Sequence, residues 1–438
     1  MKEQSKIPTT KVERASKFMK AGVKVGGNYI KHYAKRVIGN DADRSELNED
    51  NAKVIYGSLS ELKGSALKVA QMMAMDKNLL PTAYQNQFAM AQYSAPPLSY
   101  PLVVKTFRKF FKKTPSQLFD SFSQSAINAA SIGQVHEAFL NEKRLAVKIQ
   151  YPGVADSVTS DLKIARPLAA KLLNMSDAEI SQYMSEVEEK LLEETDYVLE
   201  LKRSQEITSA CAHIENTHFP TYHPQFSCER VLTMDWMPGD HLKEFLQKQP
   251  SQEVRNKIGQ ALWDFYDYQI HSMQQVHADP HPGNFLLQMD GTLGVIDFGC
   301  VKVIPPKFYH AYFSLLAKDL IKDSKRYEEL LYELEFLLHD DTEEEKLFFS
   351  KIFEEMIDLL GRPFHYDEFD FADESYFMQI YELGEKIKTM KELRKSRTAR
   401  GSRHGLYINR TYFGLYNLLH DLGAKINTKT LSKLALIA

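Results

Sequence analysis

Residues 276–299 read VHADPHPGNFLLQMDGTLGVIDFG, and they carry the strongest pattern of the sequence. Two short apolar runs, residues 285–287 and 293–296, flank an Asp-Gly dipeptide. Aspartate followed by glycine between apolar runs favours a tight turn, so the pattern predicts a β-hairpin. Because Asn284 and Asp297 stand at the two ends of this hairpin, we expect their side chains to lie near one another.

The residues around the hairpin have the order and spacing of a phosphoryl-transfer site. Asp279 precedes Asn284 by five positions, as in the His-Arg-Asp-x-x-x-x-Asn loop of kinases, and an Asp-Phe-Gly sequence begins at Asp297. Mg²⁺ prefers hard oxygen ligands, which Asn284 and Asp297 provide, and Asp279 is left to orient or deprotonate a hydroxyl group or water. Each residue alone could be a turn, a cap or a strand end. The order and spacing together predict ATP and Mg²⁺ chemistry.

A zinc site is the alternative for the histidines of this region. His277, Asp279 and His281 form one candidate ligand set. A second set lies earlier in the chain and comprises Cys211, His213, His218, His223 and Cys228. Neither set contains the Cys-x-x-Cys or His-Glu-x-x-His core of common zinc sites, so phosphoryl transfer is the favoured interpretation.

A second hairpin is predicted nearer the N-terminus. Residues 126–139 (AINAASIGQVHEAF) run from a loop of small residues into a strand, and residues 145–150 (LAVKIQ) follow after a polar turn. Small residues let backbone amides approach a phosphate group, and Lys148 on the second strand can neutralise its charge. An edge lysine that discourages aggregation is the alternative for Lys148. The candidate ATP-binding residues of the loop are Ala129, Ala130, Ser131, Ile132, Gly133, Gln134 and Val135.

A long helix with acidic residues on two faces is predicted to begin at Ser176. Ser176 and Glu179 form a capping box, and the apolar stripe of the helix comprises Ile180, Met184, Val187, Leu191 and Val198. Glu194 falls on this stripe, whereas Asp196 and Glu200 lie one turn apart on the opposite side. A buried carboxylate requires a cation or a shifted pKa. The pattern therefore predicts two lysine partners on two faces, with a solvated acidic helix as the alternative.

A short apolar strand is predicted at residues 231–235, and Pro238 and Gly239 stop it. Such a strand can join two lobes of a protein. Met234 and Trp236, which lie near its end, are further candidate ATP contacts.

The composition is that of an ordinary globular protein. A length of 438 residues allows two to four domains, and 43% hydrophobic with 26% charged residues excludes a fibrous or disordered chain. A net charge of -3 gives no overall attraction to nucleic acid. The three cysteines fit a reducing compartment, and no stretch approaches the roughly 20 apolar residues of a membrane span. We therefore predict a cytoplasmic protein.

The first 118 residues are predicted to precede the catalytic part of the chain. Residues 1–45 form a lysine-rich leader, for which a solvated, partly disordered segment is favoured and a basic amphipathic helix on a membrane surface is the alternative. Residues 46–118 are predicted to be a helical extension, with a helical pattern at residues 58–75. Lys68 and Gln71 lie on one face of that helix, and ordinary surface positions are the alternative for both.

These motifs together resemble those of the UbiB/AarF atypical kinases, also called the ADCK or coenzyme Q kinase-like family, over about residues 50–430. The resemblance rests on KVAQ at 68–71, AASIGQV at 129–135, ETD at 194–196, HADPHPGN at 277–284 and DFG at 297–299. It implies an α+β, bilobal protein-kinase-like fold, with a Lys-x-Gly-Gln-type helical extension packed over the active site. Residues 119–238 would form the N-lobe with a helical insertion, and residues 239–438 the C-lobe and C-terminal helices.

The resemblance also implies roles for individual residues. Lys148 would pair with Glu200, and Asn284 and Asp297 would hold the metal. Asp279 and Lys148 would be the catalytic residues. A regulatory lid, in which the lysine faces the two carboxylates, would be built from Lys68, Gln71, Glu194 and Asp196.

The sequence departs from the family pattern at several places. Ala70 replaces the motif glycine, and Asn128 stands where the family often has alanine. No Ala-Pro-Glu sequence follows Gly299, so we predict that a normal activation segment for peptide substrates is absent. Residues 431–438 are too short to form the hydrophobic C-terminal anchor of the membrane-bound members.

The predicted function is an atypical kinase or ATPase that binds ATP and Mg²⁺. Support of isoprenoid-quinone (ubiquinone) or lipid metabolism is implied by the resemblance alone, as is a peripheral membrane or isoprenoid lipid as partner. One alternative is a small-molecule kinase of the aminoglycoside or choline type. The other is a nucleotide-gated lipid-binding or scaffold protein without phosphotransfer.

Overall fold

The computed structural model describes residues 11–37, 44–62, 84, 98–129, 132–173, 177–317, 324–389 and 400–429. The chain forms two compact units. The first comprises Met1–Lys202 and Thr221–Trp236, and the second comprises Arg203–Pro220 and Met237–Ala438. The boundary predicted after residue 238 lies close to the last of these changes of unit. The finer boundaries after residues 45 and 118 stay predictions.

Helices make up much of the first unit. They are α1 (Lys11–Val37), α2 (Arg44–Leu62), α3 (Tyr100–Phe111), α4 (Pro115–Leu118), α5 (Val154–Leu173), α6 (Asp177–Glu194) and α7 (Tyr197–Ala210), of which the last continues into the second unit. The predicted disordered leader is wrong for residues 11–37, because α1 packs against α2. Asn28 Nδ2 donates to Oδ1 of the fully buried Asn51 at 3.0 Å, which ties the two helices together.

A five-stranded antiparallel sheet forms the rest of the first unit. Its strands are β1 (Ser121–Phe122), β2 (Asn128–Ala129), β3 (Gly133–Leu140), β4 (Lys143–Gln150) and β6 (Val231–Asp235), in the order β1-β3-β4-β6 with β2 beside β3. The predicted hairpin is confirmed: its turn is Asn141 and Glu142, both at positive φ (48° and 65°), which suits the twist of a two-residue hairpin. Val103 and Phe107 of α3 pack against Val147 and other sheet residues to form the core.

The predicted long helix is wrong at its C-terminal end. Helix α6 ends at Glu194 because the carbonyl oxygen of Thr195 accepts hydrogen bonds from the side chains of Gln150 (2.9 Å) and Arg230 (3.3 Å). Asp196 then begins α7, since its Oδ1 accepts a hydrogen bond from Leu199 N at 3.0 Å. Of the predicted apolar stripe, Ile180, Met184, Val187 and Leu191 are buried, whereas Val198 is exposed. The predicted cap at Ser176 lies outside the described residues.

The second unit is mainly helical. Its helices are α8 (Leu242–Gln247), α9 (Gln252–Tyr268), which continues as a π-helical turn (Gln269–Met273), α10 (Pro306–Ser314), α11 (Ser324–Glu333), α12 (Glu343–Gly361), α13 (Glu374–Thr389) and α14 (Arg403–Leu422). Among the short strands, β9 (Leu293–Val295) lies between β5 (Thr217–His218) and β8 (Phe285–Leu287) and pairs with both. In addition, β7 (Gln275–His277) pairs with β10 (Val301–Val303), and β11 (Glu368–Asp370) pairs with β12 (Lys425–Asn427). Trp263 of α9 packs against Phe371 and Tyr416 in the core.

Candidate functional site

The predicted ion pair between Lys148 and Glu200 is present in the first unit. Strand β4 carries Lys148 and helix α7 carries Glu200, and Lys148 Nζ lies 2.8 Å from Glu200 Oε1. The Glu200 side chain is 1% exposed and the Lys148 side chain 17% exposed. Lys148 Nζ also lies 5.2 Å from the centre of the Tyr197 ring. The lysine is therefore held in one position by a buried carboxylate and an aromatic face.

The structure describes part of the predicted ATP-binding loop. Ala129 pairs with Gln134 in the sheet, while Ala130 and Ser131 lie outside the described residues. Ile132 is buried, and its carbonyl oxygen accepts a hydrogen bond from Tyr151 N at 2.9 Å. A Cβ atom at Gly133 would lie 2.7 Å from the carbonyl oxygen of Ile149, so only glycine lets β3 approach β4 this closely. Ile132 thus serves the core, and its role toward a nucleotide stays a prediction.

The side chain of Gln134 is committed to the protein interior. Leu98 N donates to Gln134 Oε1 at 2.5 Å, and Gln134 Nε2 donates to the Leu98 carbonyl oxygen at 3.4 Å. Gln134 Nε2 also lies 2.7 Å from His136 Nε2, and His136 Nδ1 lies 2.8 Å from the Ser123 carbonyl oxygen. Burial lowers the pKa of His136, which fits a neutral ring in this chain of hydrogen bonds. Any contact of residues 133–135 with a phosphate would therefore rest on the backbone and on Val135, which is half-buried.

The strand residues Met234 and Trp236 also have partners within the sheet. Met234 is buried and pairs with Ala146. Trp236 N donates to the Arg144 carbonyl oxygen at 3.0 Å, and the Arg144 guanidinium group lies 3.9 Å from the centre of the Trp236 ring. Their role as ATP contacts stays a prediction.

In the second unit, the segment from Asp279 to Asn284 is a compact loop closed by its own hydrogen bonds. Asn284 Nδ2 donates to the Asp279 carbonyl oxygen at 2.8 Å and to Asp279 Oδ2 at 3.3 Å. His281 N donates to the same carbonyl oxygen at 2.7 Å. The side chains of Asp279 and Asn284 are half-buried, so both groups remain partly accessible although the loop is closed by hydrogen bonds.

The predicted hairpin after this loop is confirmed. Phe285 pairs with Val295 and Leu287 with Leu293. Ile296 N donates to the Asn284 carbonyl oxygen at 3.1 Å, which continues the ladder and places Asp297 next to Asn284 at the same end of the hairpin.

The Asp-Phe-Gly segment is held by two different contacts. Gly299 N donates to Asp297 Oδ1 at 2.9 Å, which fixes the carboxylate. Phe298 is fully buried and packs against Phe219, Phe265 and His277. The aromatic ring therefore anchors the segment while Asp297 stays half-buried at the surface of the loop.

Two residues that hold His277, just before the loop from Asp279 to Asn284, were not predicted from the sequence. Tyr266 Oη lies 3.0 Å from His277 Nδ1, and Gln269 Oε1 accepts a hydrogen bond from His277 N at 3.0 Å. Burial, followed by the charge of Asp279, raises the pKa of Tyr266 well above 10, so its hydroxyl group stays protonated. Gln269 is a buried glutamine in a π-helical turn, a rare feature that often marks functional sites. The burial of Gln269 is the feature that could have identified it, and only the folded structure reveals that burial.

The histidines of the alternative zinc sets have other partners. His281 Nδ1 accepts a hydrogen bond from Gly283 N at 3.0 Å, and His223 Nε2 lies 2.7 Å from Asp235 Oδ1. In the described part of the chain, no three His, Cys, Asp or Glu side chains form a group that could hold a metal ion.

The donor atoms of Asn284 and Asp297 fit a magnesium ion. Asn284 directs its Nδ2 toward Asp279, so Oδ1 is the side-chain oxygen that can act as a ligand. Asp297 adds a carboxylate, and two protein oxygens are a usual number for Mg²⁺, which keeps several of its water ligands.

The predicted lid residues are only partly described. Glu194 is buried at the end of α6, and Asp196 is exposed and caps α7. Lys68 and Gln71 lie outside the described residues, so the lid stays a prediction.

A strand lysine paired with a helix glutamate, and an Asp-x-x-x-x-Asn loop followed by a hairpin and Asp-Phe-Gly, define the chain as kinase-like. The chain belongs to the family of the ABC1 atypical kinase-like domain, whose family model matches residues 90–331. Since its relatives include proteins named COQ8 and AarF domain-containing protein kinase, the predicted resemblance is confirmed.

Similar proteins come from several kingdoms. Over 362 residues the chain is 25% identical to probable serine/threonine-protein kinase abkA of Dictyostelium discoideum. The aligned region covers 77% of this chain and 64% of that protein. Over 442 residues it is 25% identical to atypical kinase COQ8, mitochondrial, of Saccharomyces cerevisiae, covering 98% and 86%. Among solved structures it resembles Rv3197 of Mycobacterium tuberculosis in complex with erythromycin, with a TM-score of 0.60 and 25% identity, covering 89% and 96%.

The comparisons also give the share of each relative that this chain spans, and the names of some relatives state where those proteins are located. The chain spans 64% of the Dictyostelium protein and 52% of AarF domain-containing protein kinase 1 of Xenopus laevis. The yeast relative is named mitochondrial and an Arabidopsis thaliana relative chloroplastic, so the cytoplasmic location stays a prediction. None of the helices described here has the length and apolar character needed to cross a membrane.

Proposed function

We propose that this chain is an atypical kinase or ATPase that binds ATP and Mg²⁺ and supports isoprenoid-quinone or lipid metabolism. The observation that carries the proposal is the loop in which Asn284 holds Asp279 while the following hairpin sets Asp297 beside Asn284. The metabolic context rests on the family resemblance.

Each residue has a distinct proposed role. Lys148, oriented by Glu200, neutralises phosphate charge, and Asn284 and Asp297 hold the metal. Bound Mg²⁺ would stabilise the negative charge that develops on the transferred phosphoryl group. Asp279 orients the attacking hydroxyl group or water and accepts its proton.

The short connection after Asp-Phe-Gly favours an acceptor other than an extended peptide. After Gly299 the chain enters β10, which pairs with β7, and α10 begins at Pro306. This connection is too short to form a long docking segment for a protein substrate. We therefore propose that the acceptor is a small molecule, a lipid or water.

We predict that nucleotide binding depends on Mg²⁺. ATP with Mg²⁺ should raise the melting temperature more than ATP with EDTA, because the metal links the phosphates to Asn284 and Asp297. Asp297→Asn should remove most of that difference, as measured by thermal-shift titration.

Asp290→Asn is the matched control, because Asp290 is an exposed carboxylate in the turn of the same hairpin. It removes the same charge and should keep the Mg²⁺-dependent shift. An equal shift with EDTA and with Mg²⁺, or a full shift in Asp297→Asn, would exclude the metal role.

A lipid surface is proposed as a partner of α1. Large apolar side chains are exposed on this helix at Met19 (68%), Val23 (75%) and Ile30 (73%). At 100° per residue these three positions fall within about 40° of one another, and exposed lysines line the adjacent face at Lys20, Lys24 and Lys31. An apolar stripe beside a basic one is typical of helices that lie on anionic membranes.

We therefore predict that serine at Met19, Val23 and Ile30 together lowers co-sedimentation with anionic phospholipid vesicles about tenfold. Leu347→Ser on α12 is the control, since Leu347 is also an exposed apolar residue (74%) but lies on another helix. Equal sedimentation of the triple variant and the parent protein would argue against the lipid surface.

A further inference from the structure

Helix α14 packs directly on the catalytic loop. A Cβ atom added at Gly414 would lie 2.2 Å from Pro280 Cγ and 3.0 Å from Pro280 Cβ. Carbon atoms cannot approach this closely, and a proline ring cannot rotate away as a flexible side chain can. The backbone of α14 therefore touches the ring of the residue that follows Asp279, and only glycine at position 414 allows this.

Contacts on its other sides prevent α14 from moving away from the loop. Tyr416 Oη donates to the Leu360 carbonyl oxygen at 2.9 Å, and His420 Nδ1 lies 2.9 Å from the Phe371 carbonyl oxygen. A clash at Gly414 would therefore displace the loop rather than the helix.

Movement of Pro280 would directly displace the side chains of Asp279 and Asn284. Asp279 precedes it in the chain, and the Asp279 carbonyl oxygen is the acceptor for both His281 N and Asn284 Nδ2. The strand that precedes the loop, β7, is held by its pairing with β10. Pro280, which lies in the loop itself, is supported by α14.

We propose that Gly414 is a positioning residue, and that α14 braces the catalytic loop so that Asp279 is held in its working orientation. This proposal rests on the proposed function, because it assigns α14 a part in the same phosphoryl-transfer site. It gives the C-terminal helix a role that its sequence alone does not indicate.

The test compares Gly414→Ala with Gly405→Ala. Both changes replace glycine by alanine in α14, but a Cβ at Gly405 would meet no atom closer than 3.8 Å. Gly414→Ala should lower kcat for ATP turnover by about 10- to 100-fold, because small misplacements of a reacting group are costly. KM for ATP should change little, since Lys148 and Asp297 remain in place. Gly405→Ala should match the parent protein in both constants.

Two further measurements separate positioning from a general loss of structure. Amide hydrogen exchange of residues 277–284 should be faster in Gly414→Ala than in Gly405→Ala, while exchange of β3 and β4 in the other unit stays the same. Pro280→Ala removes the Cγ atom that the new methyl group would strike, so it should restore part of the lost kcat in the double variant.

Equal kcat and equal exchange in Gly414→Ala and Gly405→Ala would overturn the proposal. Hydrogen exchange needs no catalytic activity, so it decides whether α14 braces the loop even when the parent protein shows no ATP turnover. Absence of turnover with normal exchange differences would instead count against the proposed function.

Discussion

Replacing Asp279 by asparagine is expected to lower the rate of ATP turnover by about 10²- to 10⁴-fold and to change nucleotide affinity only slightly. The hydrogen bond that closes the loop runs from Asn284 Nδ2 to the backbone oxygen of Asp279, so it survives the substitution. Asparagine has nearly the same shape as aspartate but cannot accept a proton. The change therefore removes a contribution made mainly in the transition state.

Turnover should be measured with radiolabelled ATP in the presence of lipid vesicles, and affinity by thermal-shift titration. Asp264→Asn is the matched control: Asp264 lies on α9, accepts a hydrogen bond from Gln260 Nε2 at 2.9 Å, and has a pKa raised by burial. It should keep its turnover rate. If Asp279→Asn binds ATP and turns it over at the parental rate, the loop is not catalytic.

Replacing Arg400 by methionine is expected to lower the free energy of unfolding of the second unit by about 3–5 kcal/mol. Arg400 donates two hydrogen bonds to Asp341, at 2.7 and 2.5 Å, and its guanidinium group lies 3.5 Å from the centre of the Phe349 ring. The two charged side chains are only 6% and 4% exposed. Methionine would leave the Asp341 carboxylate buried without its cation.

Urea denaturation can follow this unit by the fluorescence of Trp263, which is buried in it, in a Trp236→Phe background. Lys425→Met is the control, because the Lys425 pair with Glu368 is exposed on both sides (52% and 64%) and should contribute at most about 1 kcal/mol. A loss for Arg400→Met as small as that for Lys425→Met would contradict the prediction.

The same pair also contributes to the pH dependence of this stability. Hydrogen bonds from Arg400 hold the pKa of Asp341 below its usual value. The carboxylate therefore adds stability above the unfolded-state pKa of about 3.9, and this contribution is lost as the pH falls through the lower folded-state pKa. Near pH 7 the contribution is present in full, so the urea experiment belongs there.

The features that follow from the sequence alone depend on neighbours within a few residues. The hairpin between Asn284 and Asp297 and the hairpin of β3 and β4 are set by short, largely apolar strands and by turns that suit the twist of a sheet. The loop from Asp279 to Asn284 closes through hydrogen bonds over five positions. For these parts, the order of residue types already dictates which atoms meet.

Features that join distant parts of the chain could not be predicted in this way. Helix α6 has a continuous helical pattern but ends at Glu194, because Gln150 and Arg230 bind the Thr195 carbonyl oxygen. Gln134 belongs to a sequence pattern typical of nucleotide-binding loops, yet it lies in β3 and its side-chain amide binds the backbone of Leu98. In both cases a tertiary hydrogen bond outweighs a local preference, since buried polar groups must find partners.

The packing around the loop from Asp279 to Asn284 depends on tertiary structure in the same way. Nothing near Gly414 in the sequence distinguishes it from Gly405, because both are glycines within one amphipathic helix. Only the folded chain brings Pro280 against one of them and leaves every neighbour of the other at an ordinary van der Waals distance, 3.8 Å or more from an added Cβ. Local chemistry therefore specifies which candidate groups stand in the loop, whereas the close packing around the loop joins elements far apart in the chain and depends on the shape of both partners.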